Sequence, residues 1–444
     1  MMFIGMMLRR EIPPALPVAE KIKRFRKSRG ITQAEIAEAV WSSPTKISQV
    51  ENGEGEYTTD QLNNFRLTFG LVNMPLTEFE CTAFKQRLYH WRGLISNGNM
   101  AEAEQLREEM AAIVNLDPCD YDLPMLFRLF EIILLHLKND VAAAKAKLKF
   151  LIDAEDNMSD EHRFFYYSIR GWLDGRNNRF ESALKFYLKA FEVTELYKDF
   201  FSTKEVERLH YNIATCYTKL EKPNRVLMFV NKVYTPEDEG KITLDGLRMN
   251  IALALNYSRI GASDEAEKLL NQCLIHANAI NDKSIITLTL YNLGLLYKSI
   301  GKWISALEYL EQALDVCDIG SNDYLWITYH KIYCVIGNRK FADAARLLER
   351  AEKIYDKDKD EAIPFKALGH YLAVCKGMSY NQDKAADYIE TVAVPYFKKN
   401  NVRFEAINYY RLLEAHYKMV RSNANAAIMG RIIRDFYHEI FVSN

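Results

Sequence analysis

The chain has 444 residues, room for two or more domains, of which 49% are hydrophobic and 26% charged at a net charge of −1. That is the balance of an ordinary globular protein and excludes one that holds nucleic acid through a global basic excess. Its seven cysteines (Cys81, Cys119, Cys216, Cys273, Cys317, Cys334 and Cys375) are odd in number and scattered without a CxxC pair, so neither a disulfide framework nor a zinc site is indicated.

The first fourteen residues, MMFIGMMLRREIPP, carry their charges after a short apolar run, the wrong order for a signal peptide. No stretch approaches a transmembrane span, and a cytoplasmic location is expected. Lys21, Lys23, Arg24, Arg26, Lys27 and Arg29 then crowd one predicted helix. Such a run is either a solvated face or a phosphate-facing one. Gly30 suits a left-handed helix stop. Thr32 and Glu35 have capping-box spacing before a helix with Ile36, Ala37 and Val40 on one face. Ser43 is a good N-cap and Pro44 suits the first helical position of the next helix, which turns Ile47 and Val50 inward. Thr58 and Gln61 repeat the capping box ahead of a helix carrying Leu62, Phe65 and Phe69. Two short helices joined by a tight turn and flanked by two more describe a helix-turn-helix domain.

The stretch TQAEIAEAV…SSPTKISQVENG resembles the repressor-type helix-turn-helix of the lambda and Cro class, over roughly Ala19 to Gly70. The sequence departs from that class at the turn, where Trp41 replaces the usual glycine, and at Pro44, which brings no polar group to the recognition helix. The resemblance implies DNA contact by Ser43 and base readout by Thr45, Lys46 and Gln49 on the outer face of the helix that follows it. It also implies phosphate contact by Gln33 and by Lys23, Arg24 and Lys27. Without a DNA partner the same residues would make a four-helix packing domain.

After residues 71–83, expected as a linker, the chain repeats itself. YNLGLLYKSIGKWISALEYLEQA is the clearest unit, with weaker relatives marked by helix positions 91, 132, 171, 214, 254, 332 and 373, a period of about 40. This resembles the tetratricopeptide pattern, in which a small residue of helix A faces a small residue twelve positions on in helix B. The expected fold is therefore all-α: a helix-turn-helix domain at 1–70, an α-solenoid of hairpins at 84–403 and capping helices at 404–444. Counting along helix A puts Arg208, Tyr211, Asn212, Thr215, Lys219, Arg248, Tyr291, Asn292, Lys298, His330 and Tyr333 in the concave groove. Asn can donate to and accept from one peptide unit at once, and Arg or Lys suits a carboxylate. The same residues are equally readable as a solvated concave surface.

No catalytic spacing is found: no HExxH, no P-loop, and in DKDKDE (356–361) a solvated charge run rather than a calcium loop. No enzyme, metal or cofactor is expected. Taken together, the head and the repeats resemble the RRNPP peptide-pheromone sensors of Gram-positive bacteria, among them PlcR, NprR, Rgg and PrgX, with repeat count and length nearest NprR. That resemblance implies a quorum-sensing transcriptional regulator, a homodimer, with double-stranded DNA and a short signalling peptide as partners. The C-terminal apolar residues Ile432, Ile433, Phe436 and Phe441 are candidate pairing surfaces. The alternative within the same relationship is a Rap-like module that docks on a response regulator of a phosphorelay. A tetratricopeptide co-chaperone is disfavoured by the helix-turn-helix head.

Overall fold

The computed structural model of the chain describes residues 17–71, 74–114, 122–153, 155, 158–197, 201–233, 244–355, 362–375 and 382–442. The N-terminal apolar run, Cys119, the run at 356–361 and the side chain of Phe441 lie outside the described residues. Among those residues the secondary structure is helical, without strands. The chain forms two compact units, the first ending at Leu209 and the second beginning at His210. This division does not fall at the expected boundaries near 70, 84 and 404.

The first unit opens with four short helices, α1 (Val18–Ser28), α2 (Gln33–Ala39), α3 (Pro44–Glu51) and α4 (Thr59–Phe69). Both expected capping boxes form, Thr32 with Glu35 and Thr58 with Gln61, and the Ser43 hydroxyl accepts from the Lys46 amide at 3.2 Å. Gly30 takes φ 67°, and Trp41 takes φ 53° at the turn between α2 and α3. A helix-turn-helix turn needs that left-handed residue, and here a bulky aromatic supplies it at a cost in backbone strain. Ile22, Phe25, Ile36, Val40, Ile47 and Phe65 form the core. Leu71, Met74 and Leu76 pack into the same core. The segment expected as a linker is therefore partly an extension of this domain, and α5 (Glu78–Ser96) already starts inside it, capped by Thr77 and Glu80.

The repeats follow as hairpins. In the first unit they are α5 with α6 (Met100–Val114), α7 (Asp122–Leu137) with α8 (Val141–Asp153), and α9 (Asp160–Arg176) with α10 (Phe180–Leu196). Helix α11 (Thr203–Lys219) bears the next marker, Ala214, and pairs with α12 (Pro223–Val233) in the second unit. Then come α13 (Leu244–Ile260) with α14 (Ser263–Ala279), α15 (Lys283–Ser299) with α16 (Trp303–Val316), and α17 (Asn322–Gly337) with α18 (Phe341–Tyr355). Helix α19 (Ile363–Cys375) is followed by α20 (Gln382–Tyr388), a π turn at Ile389–Ala393 and α21 (Val394–Lys399). Six helices from α9 to α15 run 17 residues each, which accounts for a period longer than the usual 34 or so.

All eight sequence markers fall on the first helix of a hairpin. Twelve positions after the markers stand Ala103, Ala144, Ala183, Val226, Ala266, Ala306, Ala344 and Ala385, all buried. The missing Cβ of Gly171 lets α10 approach closely: a Cβ built there would lie 2.7 Å from the Tyr187 ring. Seven positions after the marker the chain turns through a positive φ, at Gly98, Asn139, Asn178, Glu221, Gly261, Gly301 and Arg339.

The C-terminal pair, α22 (Arg403–Met419) and α23 (Asn423–Val442), obeys the same spacing, with Arg421 at φ 58° and buried Ala426. It is a further helical hairpin that ends the series. Phe436 packs on Ile407 and Ile440, Ile433 packs against that cluster, and Ile432 against the neighbouring core. Phe436 is thus buried within the hairpin, while Ile432 and Ile433 are half-buried.

Candidate functional site

In α3, Thr45, Lys46 and Gln49 are exposed, while Ile47 and Val50 are buried beneath them. The face expected to meet DNA is thus open. The cationic first helix is different from its sequence reading. Lys21 is fully buried beside Cys81. Arg26 makes a two-pronged pair with Glu51 at 2.7 and 2.8 Å. Gln33 donates to the same carboxylate at 2.9 Å, and Lys23 donates to the Glu51 carbonyl at 3.0 Å. Arg24 pairs with Glu20 at 2.8 Å. Burial pushes the Glu51 carboxyl up, but Arg26 and Gln33 outweigh it and hold it below its ordinary value. Of the eight residues assigned to this face, Lys23, Arg24 and Gln33 therefore have partners within the domain, and Ser43 is the cap of α3. Lys27 remains exposed.

The second unit contains a cavity of about 870 Å³, within the range of ligand-binding clefts. Of the expected groove residues it brings together Lys219, Tyr291, Asn292, Lys298 and His330. It does not include the others. Arg208 belongs to the first unit, where it donates to Ser96 at 3.0 Å and pairs with Glu205 at 3.3 Å. Tyr211 packs against the core around Ala214 and Val226. Arg248 is paired with Asp245 at 3.2 Å, and Asn212 and Thr215 are half-buried away from the lining. Tyr333 is buried, its hydroxyl donating to the Asn408 carbonyl at 3.1 Å. The two Tyr-Asn pairs of the sequence are therefore not equivalent, and only Tyr291-Asn292 faces the cavity.

The opposite wall was missed. It comes from α22 and α23, through Phe404, Glu405, Asn408, Arg411 and Tyr437, and Arg259 of α13 joins it. A signal existed: Arg259 stands five residues after the marker Ala254, as Lys219 does after Ala214. Asn408 and Arg411 occupy the corresponding groove positions of the last hairpin, once its marker is placed at 414.

Asn292 Nδ2 donates to the Leu288 carbonyl at 2.7 Å, which fixes the amide orientation and leaves one N–H and the oxygen for a ligand. Lys298 Nζ lies 3.0 Å from His330 Nδ1. An ammonium can only donate, so Nδ1 holds the lone pair and the ring proton sits on Nε2, 3.8 Å from Glu405 Oε1. Burial, with Lys298 adding to it, pushes His330 down to about 3, so it is a neutral relay between the two charges. Burial opposes ionisation of Glu405, yet Lys298, His330, Asn408 and Tyr329 together keep its carboxyl below the ordinary value. Arg259 donates to the Thr218 carbonyl at 3.0 Å and stacks on Phe404 at 4.5 Å. The cavity can thus hold an extended backbone against Asn292, apolar side chains against Tyr291 and Leu295, and an anionic group among its cations.

Comparison with known proteins bears on this arrangement. A helix-turn-helix family model matches residues 22–62, and a tetratricopeptide repeat model matches residues 247–318. The transcriptional activator NprA of Geobacillus stearothermophilus is 23% identical over 389 residues, covering 85% of this chain and 92% of that protein. A Rap protein solved in complex with Competence and Sporulation Factor superposes with a TM-score of 0.66 at 16% identity, over 82% of this chain and 99% of that one. The apo form of the quorum sensor NprR from B. thuringiensis gives a TM-score of 0.61 at 20% identity, over 79% and 97%. The resemblance to RRNPP-type regulators is borne out, and the all-α fold is that of their solved structures. Among the described residues no helix is long and apolar enough to cross a membrane.

Proposed function

We propose that the chain is a quorum-sensing transcriptional regulator that binds double-stranded DNA through α3 and a short signalling peptide in the cavity of the second unit. The observation that carries the reading is the cavity itself, with the remaining amide groups of Asn292 beside Tyr291 and a set of cations, in a chain that also has an exposed α3 face. Extended peptide has unpaired amides, and each one buried without a partner costs about 1–3 kcal/mol. Asn292 can satisfy one such unit. Peptide binding in one unit and DNA binding in the other are linked if each ligand prefers one state of the chain, and the coupling is then reciprocal. The chain acts as a homodimer, because one helix-turn-helix reads only a half-site. It works in the cytoplasm, and the activity is regulatory rather than enzymatic.

The test is a gel shift on DNA upstream of the gene and its neighbours, with parent and Gln49→Ala protein. Loss of about 1–3 kcal/mol of discrimination at one base pair is expected. Equal affinity of both proteins for every sequence would defeat the DNA assignment. Similarity to Rap structures keeps a second reading in view, docking on a response regulator. Co-purification of such a protein without any DNA shift would favour it.

A further inference from the structure

A second cavity of about 360 Å³ adjoins the first, sharing Lys298, Ser299, Asn408 and Arg411 with it. Its walls are aromatic: Trp303, Tyr333, Phe341 and Tyr371. Among the described residues its lining includes Lys298, Arg339 and Arg411 and no Asp or Glu. Arg411 stands at the junction of the two spaces. Its guanidinium donates to the Tyr437 hydroxyl at 2.8 Å and lies 5.8 Å from that ring, and among the described residues no carboxylate pairs with it. Lys298, by contrast, is already matched by Glu405 at 3.7 Å and lies over the Tyr333 ring at 5.0 Å.

We infer that this chamber is the end pocket of the groove and takes the C-terminal residue of the peptide, an aromatic side chain against the four rings and the free carboxylate on Arg411. The inference rests on the peptide reading above and deepens it by naming the terminal residue. Three features favour that occupant over an internal residue. The chamber has less than half the volume of the larger cavity and borders it through the shared residues. Its lining charge is of one sign, complementary to a carboxylate. A guanidinium facing a carboxylate makes two parallel, charge-assisted hydrogen bonds, which a backbone amide cannot replace. Aromatic walls favour a ring, since ring pairs gain beyond the area they bury.

The probes are N-acetyl-L-phenylalanine, its carboxamide and N-acetylglycine, followed by saturation-transfer NMR titration on the full chain. The parent is expected to bind the free acid at least about tenfold more tightly than the amide and than the glycine analogue. Arg411→Gln should erase the preference for acid over amide while leaving a weak preference for the ring. Ala415→Trp, at an exposed lining position of α22, should intrude on the chamber and weaken binding of both phenylalanine probes without touching the core. Equal binding of acid and amide by the parent, an unchanged preference in Arg411→Gln, or undiminished binding in Ala415→Trp would each overturn the proposal. A parallel titration with the peptide encoded beside the gene separates the two readings. Peptide binding indifferent to C-terminal amidation defeats the end pocket alone. Probe binding as expected with no peptide binding defeats the groove reading alone.

Discussion

The backbone N–H of Phe404 donates to Glu221 Oε1 at 2.9 Å, joining residues 183 positions apart. Glu221 is the left-handed residue of the α11–α12 turn, at φ 55°, and Phe404 begins the last hairpin. The second unit is therefore fastened from its first turn to its final helix pair. Burial pushes the Glu221 carboxyl up to about 7, against the lowering pull of Phe404 N–H, Arg259 and Arg403. Between its ordinary 4.5 and about 7 the folded chain holds more of this proton than the unfolded chain does, so stability falls as pH rises through that window. Glu221→Gln should remove this slope and gain up to about 3 kcal/mol at pH near 8 relative to pH near 5. Denaturant midpoints of parent and variant at both pH values measure it, and parallel profiles would refute it.

Arg26 and Glu51 carry the opposite sign. The Glu51 side chain is 2% exposed and its pKa is lowered, so its stabilisation is present above 4.5 and lost as pH falls below that value. Arg26→Ala leaves a buried carboxylate with Gln33 as its side-chain hydrogen-bond donor and Lys23 as the nearby cation. A loss of about 3–5 kcal/mol is expected, confined to the first four helices. Hydrogen exchange of the α1–α4 amides reads this locally. Unchanged protection there would show that the pair contributes nothing net.

Asn292→Ala should weaken binding of the peptide encoded beside the gene by about tenfold or more, since one peptide unit is left dry. Asn212→Ala should leave affinity unchanged, because Asn212 does not line the cavity. Calorimetry with matched melting curves distinguishes them. Equal losses in both would place the peptide outside the cavity described.

Gly171→Ala should destabilise the α9–α10 hairpin although alanine is the better helix former by about 1 kcal/mol. The new methyl would meet the rigid Tyr187 ring at 2.7 Å, and overpacking costs about 1–3 kcal/mol. Thermal unfolding of the variant beside Gly175→Ala, which meets nothing within 4 Å, isolates the clash. Equal shifts for both would remove it.

Local signals are legible in the sequence because they are short-range. The capping boxes at Thr32 and Thr58, the cap at Ser43 and the marker positions from Trp91 to Ala373 depend only on neighbours along one helix or hairpin. The role of a charge is not legible in the same way. Lys21, Arg26 and Gln33 look like a solvent or phosphate face by composition, yet the first is buried and the other two meet Glu51 from another helix, a contact no local period encodes. The groove count found Tyr291, Asn292 and Lys298 but could not tell them from Tyr211 and Asn212. What separates the two sets is the return of α22 and α23 over one stretch of the repeats, fixed by long-range contacts such as Glu221 to Phe404.

The constant offset of twelve from marker to partner, with the left-handed residue at seven, sets where this protein can change length. From one marker to the next the spacing ranges from 38 (294 to 332) to 43 (171 to 214), while the distance inside a hairpin does not vary. A residue inserted between the two helices of a hairpin would rotate the second helix by about 100° and carry its alanine out of the contact. The same insertion between hairpins only lengthens a connection, whose entropic cost grows slowly. Insertions and deletions that leave a working protein therefore accumulate between hairpins, and alignments of distant relatives should open their gaps there.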